Sequence, residues 1–466
     1  MTPAAPRYPD DVAERYRKRG YWAGLTLGDA FDASIAEHAD RVAVVDGTRR
    51  LTYRDLGTLV DRGERVVFQL PNVTEFVVAY LACVKVGAIP VACLPAHRHA
   101  EIGYLARFTE AAAWLIPSEL RGFDFVAMAR ELRAHLPSLR EIVVAGDRVA
   151  PGMTRFADLL DAGSHDAAAV ALEEFTPSPS DVAVFQLSGG TTGLPKVIPR
   201  THDDYLYNSR QFAAATDFDR DSVLLVSVPI AHNFPLACPG VQGALLLGAR
   251  VVLAPSPDAE LVFRLIEGEQ VTWVPAVPAS VISWLNHPAR KRYDLSSIRT
   301  LAVGGSRLNP EPARAVLDTF GRVLIQVFGM AEGLLCATRR DDPVEVVVGT
   351  QGRPVSPDDE IRVVGDDGRE VAPGELGELD YYRADEHNRI AFTSDGYYRT
   401  GDLVRRHPSG NIVVEGRKKD LINRGGEKIS AEEVENLILA HPAVLNVAVV
   451  AMADPVLGER ACAFVI

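Results

Sequence analysis

Residues 187–196 (LSGGTTGLPK) have the composition of a phosphate-binding loop. Glycine permits positive φ angles and close approach of the backbone to a ligand, and hydroxyls donate hydrogen bonds. Convergent N–H and O–H donors beside one cation suit a polyphosphate. The spacing is not that of a Walker A motif, which requires Gly-Lys-Ser/Thr, and a turn rich in glycine and threonine is the alternative. The candidate ligands are Ser188, Gly189, Gly190, Thr191, Thr192, Gly193 and Lys196.

The elements that would position this segment are a strand at 182–187 and a helix beginning near His202. Strand-like and helical patterns alternate along this part of the chain, and Thr52 is the predicted N-cap of a helix within 51–56. Repeated strand–helix units predict stacked parallel sheets covered by helices. Further elements are a buried helix at 75–86 and strands at 65–70, 88–94, 222–228, 249–254, 272–274 and 300–303.

After residue 360 the pattern changes to short strands and turns. Residues 360–371 (EIRVVGDDGREV) predict a hairpin with Asp367-Gly368 at its turn, and residues 411–415 predict a further strand. A helix at 431–440 and a strand at 445–452 predict a small α+β unit. We therefore predict a domain boundary near Lys419-Asp420.

The composition is that of an ordinary globular protein and excludes a disordered, collagen-like or small disulfide-stapled chain. The 466 residues carry 49 Lys+Arg and 62 Asp+Glu, a formal net charge of −13. An acidic balance argues against a nucleic-acid partner, which requires a basic face, although residues 417–419 form a local basic run.

Cysteine usage and the apolar stretches predict a soluble, cytoplasmic protein without a membrane partner. The five cysteines are scattered and form no CxxC pair, which disfavours zinc and indicates reduced thiols. The N-terminus lacks the apolar segment of a secretory signal. The most apolar stretch, 76–95, is interrupted by Lys85, Gly87 and Pro90.

SGGTTGLPK resembles the signature loop of the adenylate-forming enzymes, which include acyl-CoA synthetases, nonribosomal-peptide adenylation domains and luciferases. Five other segments occur in the order typical of that superfamily: LTYRDL at 51–56, VGAIPVACLP at 86–95, VFGMAEG at 327–333, YRTGDL at 398–403 and GRKKDLINRGGEKIS at 416–430. The resemblance implies an α/β fold. A large N-terminal domain (1–419) would have stacked, mostly parallel sheets with helices and a β-rich subdomain. A small mobile α+β C-terminal domain (420–466) would be incomplete in the printed chain.

The implied chemistry uses ATP and Mg²⁺. A substrate carboxylate attacks the α-phosphorus of ATP and expels pyrophosphate, and a thiol then attacks the acyl-adenylate and releases AMP. Positioning and charge neutralisation carry most of the catalysis of such a displacement. By resemblance, residues 188–196 hold the β- and γ-phosphates. Glu332 would ligate Mg²⁺, because a hard cation prefers the oxygens of carboxylates and phosphates as ligands. Asp402 and Arg417 would bind the ribose. The residues implied around the adenine and α-phosphate are Gly304, Gly305, Ser306, Val327, Gly329, Met330 and Ala331.

Other interpretations of these residues exist outside their motifs. Glu332 alone would be a solvated charge at a helix start, and Asp402 alone a turn residue beside Gly401. The superfamily also implies that Lys419 is the hinge of the C-terminal domain. Gly425-Gly426 would approach the thiol tunnel, with a simple tight turn as the alternative.

Residues 232–236 (HNFPL) closely resemble the stand-alone aryl-acid adenylating enzymes of siderophore-type assembly. Amino-acid-activating relatives have an aspartate at the position of Asn233. An amide removes a charge that would repel a carboxylate, and it can hydrogen-bond an ortho-hydroxyl. Phe234 offers an apolar face to a ring. His232 is implied in substrate or phosphate binding, with a core histidine as the alternative, and the candidate catalytic residues are His232, Glu332 and Lys196.

Cys238 and Leu335 favour salicylate as the acid. Members that use 2,3-dihydroxybenzoate typically have serine and valine at these positions, and a thiol is a weaker donor to a second phenol than a hydroxyl. Leucine in place of valine adds one methylene to the pocket, and such a change shifts selectivity by about 1–3 kcal/mol. A difference of this size does not exclude substituted salicylates such as methylsalicylate. Cys238 as a small core residue is the alternative. Ser306 and Gly329 complete the implied pocket.

The sequence thus predicts an aryl-acid–AMP ligase that transfers salicylate, or a substituted salicylate, to a phosphopantetheinylated aryl carrier protein. The alternatives are 2,3-dihydroxybenzoate or 3-hydroxyanthranilate as the acid, an aryl-CoA ligase, and a degenerate nucleotide-binding protein. We expect a monomer or homodimer.

The printed chain departs from the superfamily in three places. Members continue beyond the position of Ile466 into a Gly-Lys segment whose lysine stabilises the adenylation transition state. The joins at 61–63 and 378–381 are also short. We hypothesise that the printed chain omits residues, which the intact mass would test: a mass near 50.6 kDa would exclude omission.

Overall fold

The structure is a computed structural model that describes residues 10–56, 65–161, 177–188, 195–365, 367–382, 393, 397–418, 421–424, 427–439, 441, 444, 447–454 and 458–466. The chain divides into two compact units. The first contains Met1–Ala302 and Gly329–Gly333, and the second contains Val303–Phe328 and Leu334–Ile466. The predicted boundary at Lys419-Asp420 lies outside the described residues and stays a prediction.

The first unit alternates strands and helices, as the sequence predicted. Its helices are α1 (Asp10–Lys18), α2 (Leu27–His38), α3 (Tyr53–Leu56), α4 (Thr74–Lys85), α5 (His99–Phe108), α6 (Phe125–Arg133), α7 (Phe156–Asp161), α8 (His202–Ala215), α9 (Asn233–Ala237), α10 (Gly240–Leu246), α11 (Ala259–Glu269) and α12 (Pro278–Asn286), with a 3₁₀ helix at Pro288–Arg292. Its strands are β1 (Val42–Asp46), β2 (Arg49–Thr52), β3 (Arg65–Phe68), β4 (Ile89–Ala92), β5 (Ala113–Pro117), β6 (Glu119–Leu120), β7 (Phe123–Asp124), β8 (Glu141–Ala145), β9 (Thr154–Arg155), β10 (Val182–Ser188), β11 (Lys196–Thr201), β12 (Val223–Val226), β13 (Arg250–Leu253), β14 (Trp273–Ala276) and β15 (Thr300–Val303).

Two sheets with parallel cores form the first unit. One has the order β15-β14-β12-β13-β1-β2, in which β14, β12, β13 and β1 are parallel. The other has the order β11-β10-β4-β3-β5-β8-β9, parallel except for β11. The strands are short apolar runs that are buried over most of their length, as expected for parallel sheets with both faces covered. Trp114 and Phe185 lie in the core of the second sheet.

Helix α4 confirms the predicted buried helix. Nearly all of its residues are buried, including Phe76, Val77 and Tyr80. Its twelve residues are followed by Val86 and Gly87, and β4 begins at Ile89. Within the described part of the chain, no helix has the length and apolar character needed to span a membrane.

The second unit is richer in antiparallel strands. Its helices are α13 (Pro310–Phe320), α14 (Val344–Gly349) and α15 (Ala431–Leu439). Its strands are β16 (Leu324–Gly329), β17 (Leu335–Ala337), β18 (Arg353–Pro354), β19 (Ile361–Val364), β20 (Leu376–Tyr382), β21 (Tyr397–Arg406), β22 (Ile412–Arg417), β23 (Leu421–Arg424), β24 (Glu427–Ser430), β25 (Val447–Asp454) and β26 (Gly458–Val465). The antiparallel sheets have the orders β19-β20-β21-β22 and β24-β23-β26-β25. The change of pattern after residue 360 is therefore confirmed.

One strand was not predicted, and one prediction needs correction. The helix predicted near His202 is confirmed as α8, but the unpredicted strand β11 precedes it and pairs antiparallel with β10. The predicted hairpin at 360–371 closes at Gly368, whose φ is +75°. Its return arm, however, makes only a bridge between Glu370 and Val364, since β20 is the strand that pairs along β19.

The predicted N-cap of α3 is confirmed. The Thr52 hydroxyl accepts a hydrogen bond from the Asp55 N–H at 3.2 Å, and the Asp55 carboxylate accepts one from the Thr52 N–H at 2.7 Å. Residues 51–52 themselves end β2, so the helix begins one residue after the cap. The short join at 61–63 lies outside the described residues, and the one at 378–381 lies within β20.

Candidate active site

Ser188 and Lys196 form the base of the predicted phosphate loop. They are register partners across β10 and β11, with Ser188 half-buried and Lys196 exposed. A hydroxyl and a cation therefore lie side by side where the hairpin opens into its loop. The loop residues Gly189, Gly190, Thr191, Thr192 and Gly193 lie outside the described residues.

Asn72 anchors the segment that leads to the predicted acid pocket. Its Oδ1 accepts the Ile230 N–H at 2.8 Å, two residues before His232. Its Nδ2 lies 3.0–3.1 Å from the carbonyl oxygens of Val226, Val228 and Ala254. Leaving such buried groups unpaired would cost about 1–3 kcal/mol each. Sequence reasoning missed Asn72, and the available signal was a polar residue in the Pro-Asn pair shortly after β3.

His232 lies at the N-cap position of α9, and its side chain makes no capping bond there. Desolvation by the surrounding protein lowers the pKa of His232, although the residue keeps an exposed surface. Burial also lowers the pKa of His97, against a smaller opposing contribution from the charge of Glu101. Both imidazoles are therefore neutral at neutral pH. His97 Nδ1 accepts the Leu94 N–H at 3.2 Å, which places its proton on Nε2.

Sequence reasoning also missed His97. The signal for it was a histidine five residues after a buried parallel strand, in the LPAH that follows β4. Polar residues at the carboxyl ends of parallel strands are common ligand contacts in open α/β sheets.

The predicted acid-binding residues Asn233 and Cys238 lie at the two ends of α9 and interact with each other. Asn233 Nδ2 is 3.5 Å from Cys238 Sγ. The Tyr205 hydroxyl, from α8, donates to Asn233 Oδ1 at 2.9 Å. Cys238 is buried, and burial raises the pKa of its thiol to about 12, so it remains uncharged. Phe234 is half-buried on the same helix.

Arg200 connects this region to the loop Gly329–Gly333. Its Nη2 donates to Asn208 Oδ1 at 3.1 Å, and its Nη1 donates to the Ala331 carbonyl at 2.7 Å. Its Nε pairs with Asp204, and both side chains are only 1% exposed. Asn208 in turn donates to the Ala237 carbonyl at 2.7 Å. The predicted residues Gly329, Met330, Ala331 and Glu332 lie on this loop, with Gly329 exposed and the others half-buried.

In the second unit, the structure brings Asp402 and Arg417 together. They are register partners on β21 and β22, and Arg417 Nε donates to Asp402 Oδ1 at 3.0 Å. Asp402 is 4% exposed, whereas the Arg417 side chain is 55% exposed. A buried carboxylate with one oxygen paired to an exposed guanidinium is suited to accept hydroxyl donors.

The remaining predicted residues of the second unit lie in the turn after β15 or within β16 and β17. Gly304 is buried, whereas Gly305, with φ +87°, and Ser306 are exposed in the turn after β15. Val327 is buried in β16, and Leu335 is 3% exposed at the start of β17. The predicted hinge residue Lys419 and the Gly425-Gly426 pair lie outside the described residues.

Comparison with known protein families identifies the chain at the family level. The model of the AMP-binding enzymes matches residues 31–383, and the model of their C-terminal domain matches residues 433–466. The chain belongs to the AMP-binding enzymes. Membership confirms the resemblance drawn from the six motifs and confirms that the protein is an enzyme of the adenylate-forming class.

Two similar relatives act on aryl acids, according to their names. A 2,3-dihydroxybenzoate-AMP ligase of Bacillus subtilis (strain 168) is 48% identical over 98% of this chain and 87% of its own length. A salicylyl-CoA synthase / salicylate adenylyltransferase of a Streptomyces species is 50% identical over the same shares.

A solved structure is also similar to this chain. The apo structure of MbtA from Mycobacterium smegmatis has a TM-score of 0.81 and 39% sequence identity, and the match covers 99% of this chain and 88% of that one. The predicted α/β fold class with parallel sheets, including part of a small C-terminal domain, is thereby confirmed.

Proposed function

We propose that this AMP-binding enzyme converts an aryl carboxylic acid and ATP to an aryl-adenylate and pyrophosphate. The observation that carries the proposal is the neutral, hydrogen-bonded amide of Asn233 beside the buried thiol of Cys238. An amino-acid substrate would call for a carboxylate at this position to pair its ammonium group. A neutral amide suits an acid whose only charge is its carboxylate.

The first step forms a bond between a carboxylate oxygen and the α-phosphorus, and the bond from that phosphorus to the pyrophosphate oxygen breaks. Ser188 and Lys196 would bind the leaving phosphates together with the loop between them. Asp402 and Arg417 would hold the ribose. Arg200 fixes the loop Gly329–Gly333 through the Ala331 carbonyl, so the backbone near the reacting groups is held before substrate binds.

His232 would contact the substrate carboxylate or the α-phosphate as a neutral imidazole. Because its pKa is lowered, His232 would donate an N–H hydrogen bond without carrying a positive charge at neutral pH. Phe234 would provide an apolar face for the ring.

Glu332 is the candidate ligand of Mg²⁺. Among the described residues, no group of three or more His, Cys, Asp or Glu side chains could hold a metal by itself. A single half-buried carboxylate fits Mg²⁺, which proteins commonly bind through one or two carboxylates and substrate phosphates. When bound, the ion would neutralise phosphate charge.

Salicylate or a substituted salicylate is the proposed acid. Cys238 is buried, and both amide groups nearest to it, those of Asn208 and Asn233, use it as an acceptor at 3.7 and 3.5 Å. A thiol in this position offers a second ring hydroxyl a poorer partner than a serine would. The similar 2,3-dihydroxybenzoate-AMP ligase keeps that acid as the alternative, and 3-hydroxyanthranilate remains a further alternative.

The second step would transfer the acyl group to a phosphopantetheine thiol of an aryl carrier protein. The thiol sulfur attacks the acyl carbon, the bond to AMP breaks, and AMP leaves. The resemblance of residues 232–240 to the stand-alone aryl-acid enzymes supports a carrier protein as acceptor. The similar salicylyl-CoA synthase supports coenzyme A as a second candidate.

ATP–pyrophosphate exchange with the full-length protein tests the first step. Salicylate, 2,3-dihydroxybenzoate, benzoate and 3-hydroxyanthranilate are compared, and salicylate is expected to give the highest kcat/KM. Exchange with none of these acids would refute the proposed activity and favour a degenerate nucleotide-binding protein. Labelled salicylate offered to a phosphopantetheinylated carrier and to coenzyme A tests the acceptor, and thioester on coenzyme A alone would refute the carrier.

A further inference from the structure

The Asn233 amide has two chemically different edges, and the edge that faces a substrate decides what the substrate must offer. The oxygen edge accepts hydrogen bonds, and the nitrogen edge donates them. Asn233 is half-buried, so one edge can reach a ligand while the other is held by the protein.

A buried relay holds the oxygen edge. Gln186, on β10, donates through Nε2 to the Tyr205 hydroxyl at 2.9 Å, and that hydroxyl donates to Asn233 Oδ1 at 2.9 Å. Gln186 and Tyr205 are both fully buried. A hydroxyl has a single hydrogen to donate. The Tyr205 hydroxyl therefore accepts a hydrogen bond from the Gln186 N–H and donates its own to Asn233.

The surroundings of Tyr205 keep its hydroxyl a donor. Burial raises the pKa of Tyr205, so the hydroxyl stays protonated at neutral pH. The Arg200 guanidinium lies 4.8 Å from the centre of the Tyr205 ring, and a nearby cation draws electron density from the phenol.

One N–H of the Asn233 amide points to the thiol of Cys238, and the second N–H of the same nitrogen edge is the one that can reach a ligand. Asn208 has a defined orientation, because its Oδ1 accepts from Arg200 and its Nδ2 donates to the Ala237 carbonyl. Its N–H side therefore faces Cys238 Sγ at 3.7 Å, and Asn233 Nδ2 approaches the same sulfur at 3.5 Å. Both amides donate an N–H to the sulfur. This agrees with the orientation of Asn233 in which Oδ1 faces the Tyr205 hydroxyl.

We propose that Tyr205, held by Gln186, is a positioning residue that turns the N–H edge of Asn233 toward the acid and so selects a hydrogen-bond acceptor ortho to the carboxylate. The inference rests on the proposed aryl-acid activation. An ortho-hydroxyl donates a hydrogen bond to the carboxylate of the same molecule. Its oxygen lone pairs can then accept a hydrogen bond from the Asn233 N–H. An ortho-amino group is a poor acceptor because its lone pair is delocalised into the ring, and its N–H groups would oppose that of Asn233.

The test compares salicylate, benzoate and anthranilate in ATP–pyrophosphate exchange for the wild type, Tyr205→Phe and Gln186→Leu. We expect the wild type to prefer salicylate over anthranilate by about tenfold or more, the value of one oriented hydrogen bond. Tyr205→Phe should lower the salicylate-to-anthranilate ratio of kcat/KM about tenfold. The kcat/KM for benzoate, which has no ortho group, should change less. Gln186→Leu should shift the ratio in the same direction by a smaller factor.

Tyr53→Phe is the matched control. Tyr53 is equally buried, and its hydroxyl donates to the Ala249 carbonyl at 2.7 Å, away from Asn233. It should lose stability without changing the acid ratios by more than about twofold. Calorimetric binding of salicyl and anthraniloyl sulfamoyl-adenosine analogues gives the same ratio without turnover, so a variant with low activity still yields an answer.

The outcomes separate this inference from the proposed function. Exchange with aryl acids but equal acid ratios in the wild type and Tyr205→Phe overturns the relay alone. A wild type that uses anthranilate as well as salicylate also overturns it. A wild type that exchanges with no aryl acid and binds no analogue refutes the proposed function, and the relay falls with it.

Discussion

Replacing Arg200 by methionine should be one of the most damaging single changes in the first unit. Methionine keeps most of the apolar length of the side chain but removes the cation and all its donors. The pair with Asp204 is 1% exposed on both sides, so water cannot replace the lost partner. The hydrogen bonds to Asn208 and the Ala331 carbonyl are lost in the same step.

The magnitude follows from the burial of the pair. Removing one member of a buried ion pair costs about 3–5 kcal/mol, because the remaining charge stays in a low-dielectric site. Arg49→Met is the matched control. Arg49 pairs with Glu75 at 2.6 Å, but its side chain is 48% exposed. An exposed pair of this kind contributes about 1 kcal/mol or less.

Urea unfolding followed by circular dichroism measures both variants. Arg200→Met should lower the unfolding free energy by about 3–5 kcal/mol, and the double variant Arg200→Met/Asp204→Leu should cost less than the sum of the single changes, since neither charge remains. A loss for Arg200→Met no larger than that for Arg49→Met would refute the reasoning. So would additivity in the double variant.

The same variant should also impair catalysis. Arg200 holds the Ala331 carbonyl, and therefore the loop that carries Glu332. Displacement of that loop should reduce kcat/KM for ATP by about tenfold or more at a temperature where the variant is folded. An unchanged kcat/KM would show that the loop keeps its position without Arg200.

Three further predictions concern single side chains. Burial lowers the pKa of His202 from 6.5 to about 4, so as the pH falls the unfolded state is protonated at a higher pH than the folded state. The free energy of unfolding should therefore fall by about 3 kcal/mol as the pH drops from 6.5 toward 4. In urea unfolding, His202→Asn should lose this extra pH dependence, whereas the exposed control His135→Asn should keep it. Cys238→Ser should raise the ratio of kcat/KM for 2,3-dihydroxybenzoate over salicylate about tenfold in exchange assays, and an unmoved ratio would mean that Cys238 does not contact the ring. Asp402→Asn should raise the KM for ATP about tenfold, because each hydrogen bond to a charged group contributes about 1.5–3 kcal/mol, while the KM for the acid changes little; equal effects on both would contradict a ribose role.

Much of the architecture could be predicted because the signals are local. The buried strands of the first unit are short apolar runs separated by polar turns, and the structure places every predicted one within a few residues of its expected position. β11 was missed because its sequence, KVIPRT, contains a proline and two charges. Its edge position beside β10 tolerates both, and only the pairing with β10 makes it a strand.

The candidate site divides in the same way. The motifs predicted which residues bind phosphate and acid, and these roles stay predictions. The motifs contain nothing about Asn72, Arg200 or Tyr205, because these residues make contacts with distant parts of the chain. Asn72 bonds to a carbonyl 182 residues away, and Arg200 to one 131 residues away.

The sequence by itself determined the family, the alternation of strands and helices, and the residue types available for adenylation chemistry. Each of these depends on neighbouring residues or on short spacings. Only the tertiary structure decided which edge of the Asn233 amide is held and which cation supports the loop Gly329–Gly333. Hydrogen-bond direction and charge pairing depend on groups that meet only when the chain is folded, and burial removes the water that would otherwise compete for them.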